Sequence, residues 1–96
     1  MSGVATWQVT VVVAAYNEAL SLPLLHPRIV AALEAMPEVR GRVLYVDDGS
    51  RDATWPVLRA LAAADSRVSV LRLSRNFGKA AALTAGLDRV ETGGAL

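Results

Sequence analysis

Two adjacent carboxylates, Asp47 and Asp48, end an apolar run in the stretch LYVDDGSRD, residues 44–52. Side by side, two negative charges repel each other, so a pair in this position suggests that something nearby uses them. A carboxylate accepts hydrogen bonds from a nucleobase imide N–H or from a ribose diol. Gly49, which follows, allows the backbone to approach a planar ligand closely. These residue types suit the binding of a nucleoside.

Two further polar clusters follow apolar runs, Ala15-Tyr16-Asn17-Glu18 and Ser74-Arg75-Asn76-Phe77-Gly78-Lys79. Tyr16 offers a face or edge for base packing, and Glu18 is a second hydrogen-bond acceptor. Arg75 and Lys79 supply positive charge for a diphosphate, and the start of a helix after them adds partial positive charge. The clusters together predict acids at the base and cations at the phosphates.

Each cluster taken alone also has a simpler explanation. An Asp-Asp-Gly-Ser run is a good turn and capping sequence. A single tyrosine such as Tyr16 more often packs than contacts a ligand, and Glu18 is favourable at a helix start whatever the function. Arg75 and Lys79 would be ordinary surface charges, and His26 has no partner cluster that indicates a metal site or a general base. Only the joint placement of the three clusters favours a binding site.

Three short apolar runs predict the strands that position these clusters. Residues 9–14 (VTVVVA) are β-branched and nearly all apolar, as is typical of a strand buried on both faces of a parallel sheet. Residues 42–46 (RVLYV) and 68–73 (VSVLRL) predict two more strands. Each polar cluster begins at or directly after the end of one of these runs.

Helical spacing of apolar residues predicts three helices, one from Leu22 to about Met36, one over 55–64 and one over 80–90. Ser21 is the expected N-cap of the first helix, and Pro27 predicts that this helix starts late or bends. Pro37 and Gly41 are expected to close that segment. Gly93 and Gly94 are expected to end the third helix.

The order βαβαβα predicts an α/β fold with a Rossmann-like parallel sheet in a single unit, residues 1–96. In open α/β sheets, ligands bind outside the carboxyl ends of the strands, where loops and helix N-termini converge. All three polar clusters belong to that edge. The topology therefore predicts that they form one site.

Composition excludes several classes of function. The chain has 96 residues, 53% of them hydrophobic, and a formal net charge of +1 with its basic residues scattered, which fits a globular unit and disfavours nucleic-acid binding. There is no cysteine, which excludes a disulfide framework, a thiolate zinc site and a cysteine nucleophile. The longest apolar stretches fall far short of the roughly 18 residues of a membrane-spanning helix.

Three ordered motifs carry a resemblance: VVVAAYNEALSLPLL, VLYVDDGSRDAT and VLRLSRNFGKAAALTAGLD. They resemble the N-terminal, nucleotide-binding half of family-two inverting glycosyltransferases of the GT-A fold, over about residues 9–87. The third motif is most similar to the branch that moves a sugar from a nucleotide sugar to a polyprenyl phosphate, such as dolichyl- and undecaprenyl-phosphate glycosyltransferases. The resemblance thus implies a bacterial enzyme of cell-envelope glycan biosynthesis.

The resemblance assigns roles by position. It implies that Asp48 binds the base, that Asp47 shapes the turn and assists, and that Glu18 approaches the nucleoside. It implies that the base is lined by Ala14, Ala15 and Tyr16, and, less firmly, that the region near the diphosphate contains Arg75 and Lys79. The polyprenyl-phosphate branch usually has proline where this chain has Ala15, which is expected to loosen the loop and leave the polar groups intact.

The resemblance also implies that residues 1–96 are a partial GT-A domain, the donor-nucleotide half, with the remainder of the catalytic domain absent. In such enzymes an Asp-x-Asp motif that holds Mg²⁺ or Mn²⁺, the catalytic base and the acceptor surface all lie further along the chain. No catalytic residue and no metal ligand are therefore expected here, nor turnover by this segment alone. The full-length form is expected to take a hexose from a UDP- or GDP-sugar, in the cytoplasm at the membrane face.

A fourth strand is expected beside the first, and only Ala95 and Leu96 represent it in this sequence. The first strand would then keep an unpaired edge, and unpaired edges favour pairing with another chain. We therefore expect either that the protein continues beyond Leu96 or that this segment self-associates through that edge.

A noncatalytic α/β nucleotide-binding or assembly module stays open as the alternative. A phospho-receiver domain is disfavoured because the third strand ends in Ser74 and Arg75 instead of an acceptor aspartate. A dinucleotide-binding domain is disfavoured because no Gly-x-Gly-x-x-Gly follows the first strand.

Overall fold

The computed structural model of the chain describes residues 7–92, which form three strands and three helices in strict alternation. The elements are β1 (Trp7–Ala15), α1 (Leu22–Glu34), β2 (Val39–Asp47), α2 (Thr54–Ala64), β3 (Val68–Arg72) and α3 (Lys79–Glu91). All strands are parallel, in the order β1-β2-β3. The predicted α/β fold with a parallel sheet and βαβαβα order is confirmed.

β2 is the central strand and is buried on both faces. Successive side chains of a strand point to opposite faces, so Val43 and Tyr45 pack in one apolar cluster and Leu44 and Val46 in another. The first cluster includes residues of α1 and α2, and the second includes Ala82 of α3. Burial on both faces is the physical reason why this strand reads as a continuous apolar run.

β2 begins earlier than its apolar run indicates. It starts at Val39, and Gly41, which was expected to close the preceding segment, lies inside the strand opposite Val9 of β1. A Cβ atom at Gly41 would lie 2.7 Å from Cδ2 of Leu33 in α1. Strand pairing therefore extends through residues 39–42, which include two arginines. The lack of a side chain at Gly41 leaves room for Leu33 of α1, which packs over the strand.

Helix α1 begins at Leu22 and ends at Glu34. A late start after Pro27 is therefore wrong, because Pro27 lies inside the helix. Its ring nitrogen has no hydrogen for the carbonyl group four residues earlier, that of Pro23.

The ends of α1 match the predicted ones in part. Ser21 is the N-cap residue, but its side chain makes no capping bond. Met36 falls beyond the helix and is 39% exposed.

In the part of the chain that the structure describes, β1 is paired only with β2. Ala95 and Leu96, the expected start of a fourth strand, lie outside the described residues, as do Gly93 and Gly94. Self-association through the β1 edge therefore stays a prediction.

A chain of polar side chains links α1, β2 and the turn before β3. Nδ1 of the buried His26 lies 2.7 Å from the Tyr45 hydroxyl, and Nε2 lies 3.4 Å from Oδ2 of Asp65. A carboxylate only accepts, so Nε2 carries the hydrogen of the contact with Asp65, and Nδ1 makes the contact with the Tyr45 hydroxyl. Arg67 donates to both carboxylate oxygens of Asp65, at 3.0 and 3.1 Å, and also to Glu34. His26 is thus fully engaged in holding the fold.

Two of these groups have shifted pKa values. Burial, together with the nearby charge of Asp65, raises the pKa of Tyr45 to about 12, which keeps its hydroxyl group protonated. Hydrogen bonds from Arg67 lower the pKa of Asp65 to about 2.

Helix α3 packs against β1 and β2 through Gly86, which is buried. A Cβ atom there would lie 2.6 Å from Cγ1 of Val12 and 2.9 Å from Cγ2 of Val46. The absence of a side chain at this position sets how closely the helix approaches the sheet.

The Asp65 interactions predict a loss of stability in acid. The folded pKa of about 2 lies below the ordinary value of 3.8, so the stabilisation is complete above about pH 4 and is lost as pH falls through about 2. We expect it to be on the order of 1 kcal/mol after solvent screening. Urea unfolding between pH 5 and about 2 should show a shallower fall for Asp65→Asn than for the unchanged chain. Parallel curves for the two proteins would contradict this assignment.

Replacing a glycine by alanine normally stabilises a helix, but the close contact at Gly86 predicts that Gly86→Ala destabilises this protein. Alanine has a helix propensity better than glycine by about 1 kcal/mol, but overpacking a core costs about 1–3 kcal/mol. We expect Gly86→Ala to lower the free energy of unfolding by on the order of 1 kcal/mol. Thr84→Ala, at an exposed position of the same helix, is the matched control and should not lower it. A stabilised Gly86→Ala variant would show that α3 can move away from the sheet.

Candidate functional site

An open cleft of about 240 Å³ lies at the carboxyl ends of β1 and β2 and the start of α3. The residues that line it are Ala14, Ala15, Tyr16, Glu18, Asp48, Asn76, Gly78 and Lys79. Six of the eight predicted site residues are in this set. Asp47 and Arg75 are not. The parallel topology thus gathers residues 65 positions apart along the chain (79 − 14) around one opening.

The Asp48 carboxylate is held by the loop that follows β3. Its Oδ1 accepts a hydrogen bond from the backbone N–H of Phe77 at 2.8 Å. Its Oδ2 accepts from the N–H of Gly78 at 3.1 Å and from Nδ2 of Asn76 at 3.0 Å. The backbone N–H of Asp48 donates to the carbonyl oxygen of Ala15 at 2.9 Å. Asp48 therefore joins the ends of all three strands.

Gly49 keeps the turn after β2 in contact with the same loop. Its φ of +70° lies in the left-handed region, which favours glycine. A Cβ atom there would overlap backbone atoms of Arg75 and Asn76. The glycine thus permits close approach of another part of the chain, whereas the sequence predicted close approach of a ligand.

Asp47 points away from the cleft and is completely buried. Its Oδ1 accepts from the backbone N–H of Ser50 at 3.0 Å, which shapes the turn, and its Oδ2 lies 3.8 Å from Nε of Arg72. The two adjacent carboxylates thus have separate partners, Ser50 and Arg72 for Asp47 and the loop after β3 for Asp48, which offset the repulsion between them.

Arg75 lies beside the cleft, outside its lining. Its guanidinium carbon is 4.5 Å from the centroid of the Phe77 ring, which is a cation–π distance. Lys79, in contrast, lines the cleft as the first residue of α3. Of the two predicted phosphate-binding cations, only Lys79 lies directly at the opening.

Tyr16 and Glu18 lie on the β1–α1 loop at the exposed rim of the cleft. Tyr16 is 41% exposed, so much of its ring is available for packing. Oε1 of Glu18 accepts a hydrogen bond from the Ser21 hydroxyl at 2.6 Å. That bond restrains the carboxylate beside the opening.

The β1–α1 loop is fastened to the β2–α2 loop through Asn17. Its Oδ1 accepts from the backbone N–H of Arg51 at 2.9 Å, and its own N–H donates to the Ser50 hydroxyl at 2.9 Å. Asn17 has a φ of 54°, a left-handed conformation that asparagine adopts more readily than most residues. Tyr16 and Glu18 are therefore held in place by the residue between them.

Thr54 and Asp52 make a second fastening between these loops. The buried Thr54 hydroxyl accepts from the N–H of Glu18 at 2.8 Å and donates to Oδ1 of Asp52. Oδ2 of Asp52 accepts from the N–H of Ala19 at 3.3 Å. The Thr54 hydrogen bond, with smaller contributions from the backbone, holds the pKa of Asp52 below its usual range.

Sequence reasoning did not assign roles to Asn17, Asn76, Asp52 and Thr54 at the site. All four lie within or next to the three motifs, but their partners are 28 to 36 residues away and depend on the sheet order. The signal available was the presence of small polar residues beside each strand end, since such residues form loop hydrogen bonds readily.

The described residues do not fit a divalent cation. No group of three or more His, Asp or Glu side chains within residues 7–92 is arranged to hold a metal ion. At the cleft, the Asp48 carboxylate already accepts three hydrogen bonds and Glu18 accepts one. We therefore derive no chemical step through a metal on these residues.

The cleft combines two kinds of recognition. Its lining includes two carboxylates and an exposed aromatic ring, and it also includes a lysine at a helix start. The first combination suits a nucleobase or sugar, and the second suits an anion.

No helix between residues 7 and 92 is long and apolar enough to cross a membrane.

The chain is similar in sequence to known glycosyltransferases. The family model for glycosyl transferase family 2 matches residues 10–92. A prophage bactoprenol glucosyl transferase homolog of Escherichia coli K12 is 37% identical over 89 residues, which cover 93% of this chain and 28% of that protein. An undecaprenyl-phosphate 4-deoxy-4-formamido-L-arabinose transferase of Pseudomonas syringae pv. syringae is 42% identical over 84 residues, covering 86% of this chain and 25% of that one.

The fold is similar to that of a solved glycosyltransferase. Mannosyltransferase PcManGT from Pyrobaculum calidifontis, in complex with GDP-Man and Mn²⁺, superposes with a TM-score of 0.66 at 26% sequence identity, covering 92% of this chain and 26% of that one. The chain thus spans about a quarter of the length of the relatives that it matches. Sequence and fold agree with the predicted resemblance, and the chain belongs to glycosyl transferase family 2.

Proposed function

We propose that the cleft binds the nucleoside diphosphate part of a nucleotide sugar. The observation that carries this proposal is that a hydrogen-bonding carboxylate, Asp48, and an exposed cation, Lys79, line the same opening at the carboxyl edge of a parallel sheet. That edge is where open α/β sheets bind ligands. In this arrangement the base lies by Asp48 and the phosphates lie by the start of α3.

Asp48 is the proposed base anchor. A carboxylate has about four lone-pair positions, and three of those on Asp48 are filled by the β3–α3 loop. One position on Oδ1 is left to accept an N–H group of the base. Ala14, Ala15 and Tyr16 supply the apolar and aromatic surface against which the base packs.

Lys79 is the proposed diphosphate contact, aided by the N-terminus of α3. The helix has 13 residues and Gly78 as its N-cap, without a side-chain capping bond. Its first backbone N–H groups therefore lack acceptors within the helix, as at any helix start. Arg75 adds positive charge from beside the cleft, and Asp47 assists by shaping the turn.

For the full-length protein we propose transfer of a hexose from a UDP- or GDP-sugar to a polyprenyl phosphate. A phosphate oxygen of the acceptor forms a bond to the anomeric carbon, and the bond from that carbon to the nucleoside diphosphate breaks with inversion. The named activities of the bactoprenol and undecaprenyl-phosphate relatives support this acceptor class. The residues of this chain hold the donor during that step. For such an acceptor we propose that the full-length protein acts at the cytoplasmic face of a membrane.

A divalent cation, Mg²⁺ or Mn²⁺, is proposed for the full-length enzyme, where it would offset charge on the leaving diphosphate. The complex of PcManGT with GDP-Man and Mn²⁺ supports this proposal. Because residues 7–92 contain no suitable ligand group, its ligands are assigned to other parts of the full-length protein.

Asp48→Asn tests the base anchor. Replacing the carboxylate by an amide turns one acceptor oxygen into a donor, so we expect nucleoside and nucleoside diphosphate binding to weaken by roughly 1–3 kcal/mol. Titration calorimetry with UDP, GDP and the corresponding nucleosides measures this. Glu38→Gln removes the same charge at the opposite end of the sheet and should bind like the unchanged chain. Binding of neither UDP nor GDP by the unchanged chain would refute the proposed function.

Lys79→Ala and Arg75→Ala test the diphosphate end. Because Lys79 lines the cleft and Arg75 stacks on Phe77 beside it, we expect Lys79→Ala to weaken diphosphate binding more. The double variant should lose affinity for UDP or GDP much more than for the nucleoside, and this difference should shrink as salt rises. Arg28→Ala with Arg40→Ala is the control of equal charge, at exposed positions outside the cleft lining. Equal losses for nucleoside and diphosphate would place the phosphates elsewhere.

A further inference from the structure

Asn76 makes a bond to the backbone and a bond to the side chain of Asp48. Its Nδ2 group donates to the Asp48 carbonyl oxygen at 3.1 Å and to Oδ2 at 3.0 Å. We propose that Asn76 is a positioning residue for nucleotide binding, which acts by holding Asp48 and the β3–α3 loop, residues 73–78, against each other. The inference rests on the proposed function of the cleft.

The β3–α3 loop depends on Asp48 for its conformation. Asn76 and Phe77 are exposed, and among the described hydrogen bonds those of Asn76 Nδ2, Phe77 N and Gly78 N all go to Asp48. Gly78 has φ 100° and ψ 155°, a region that only glycine populates readily. This turn directs the chain into α3, so it decides where Lys79 lies.

The chemistry at this contact requires an amide. Both atoms that face Asn76 are oxygen acceptors, so the nitrogen of the amide must point toward Asp48 and its oxygen away. An aspartate of the same shape would set a second carboxylate against that of Asp48 and against the carbonyl oxygen. Repulsion would then separate the loop from the strand end.

Separation of the loop has two consequences for the cleft. Asp48 loses the contacts that aim its remaining lone pair, and Lys79 and the start of α3 lose their position relative to the base. Affinity for a nucleoside diphosphate should therefore fall even where Asn76 itself contacts no ligand atom. Because Asn76 also lines the cleft, the test must separate positioning from direct contact.

The backbone amides of Phe77 and Gly78 provide that separation. Both are bonded to the Asp48 carboxylate without any ligand, so their hydrogen exchange in the nucleotide-free chain reports on the loop alone. We expect Asn76→Asp and Asn76→Ala to speed exchange of these two amides about tenfold or more, by nuclear magnetic resonance. We expect the same variants to weaken UDP or GDP binding about tenfold in calorimetric titrations. Ser74→Ala, in the same loop but without a hydrogen bond to Asp48, should change neither quantity.

The outcomes are distinct. Loss of affinity with unchanged amide exchange would show direct contact and overturn the positioning role. Unchanged affinity in both variants, with the unchanged chain still binding nucleotide, would overturn this inference and leave the proposed function standing. No binding of UDP or GDP by the unchanged chain would overturn the proposed function and this inference with it. Should repulsion unfold Asn76→Asp, as thermal melting would reveal, Asn76→Ala decides the question.

Discussion

The rest of the cleft depends on the hydrogen bonds of one buried carboxylate. Asp48 is 2% exposed, receives two backbone N–H groups and one side-chain amide from the β3–α3 loop, and donates its own N–H to the end of β1. A charge in this position is costly unless it is well hydrogen-bonded. That requirement forces three strand ends into a single arrangement, which in turn determines the shape of the opening.

A second set of bonds holds the other wall. Asn17 and Thr54 fasten the β1–α1 loop to the β2–α2 loop, and Asp52 adds a further bond by accepting from the N–H of Ala19. Most polar residues of the DDGSRDAT motif therefore make hydrogen bonds within the chain. Most residues of that motif thus serve as a turn and capping sequence, as the simpler explanation held. Asp48 is the one residue of this motif that lines the cleft.

Much of the fold followed from local patterns. Three apolar runs predicted the strands, because a strand buried on both faces of a sheet is apolar at nearly every position. Helical spacing predicted the helices, because a helix that buries one face has apolar residues every three or four positions. Boundaries were less accurate where tertiary contacts decide them. Pairing with β1 draws residues 39–41 into β2, and α1 continues through Pro27.

Local patterns predicted that a polar cluster follows each strand of a parallel sheet, and hence that the clusters meet at one edge. Tyr16, Glu18, Asp48 and Lys79 were predicted as site residues on that basis, and all four line the cleft. The tertiary structure alone decided that Asp47 faces away and is buried, that Arg75 stacks on Phe77 beside the cleft, and that Asn76 holds Asp48. The reason is physical. The chain order of elements specifies which strand ends are neighbours, whereas the direction of each side chain depends on strand register and on hydrogen-bond partners about 30 residues away, which no local pattern records.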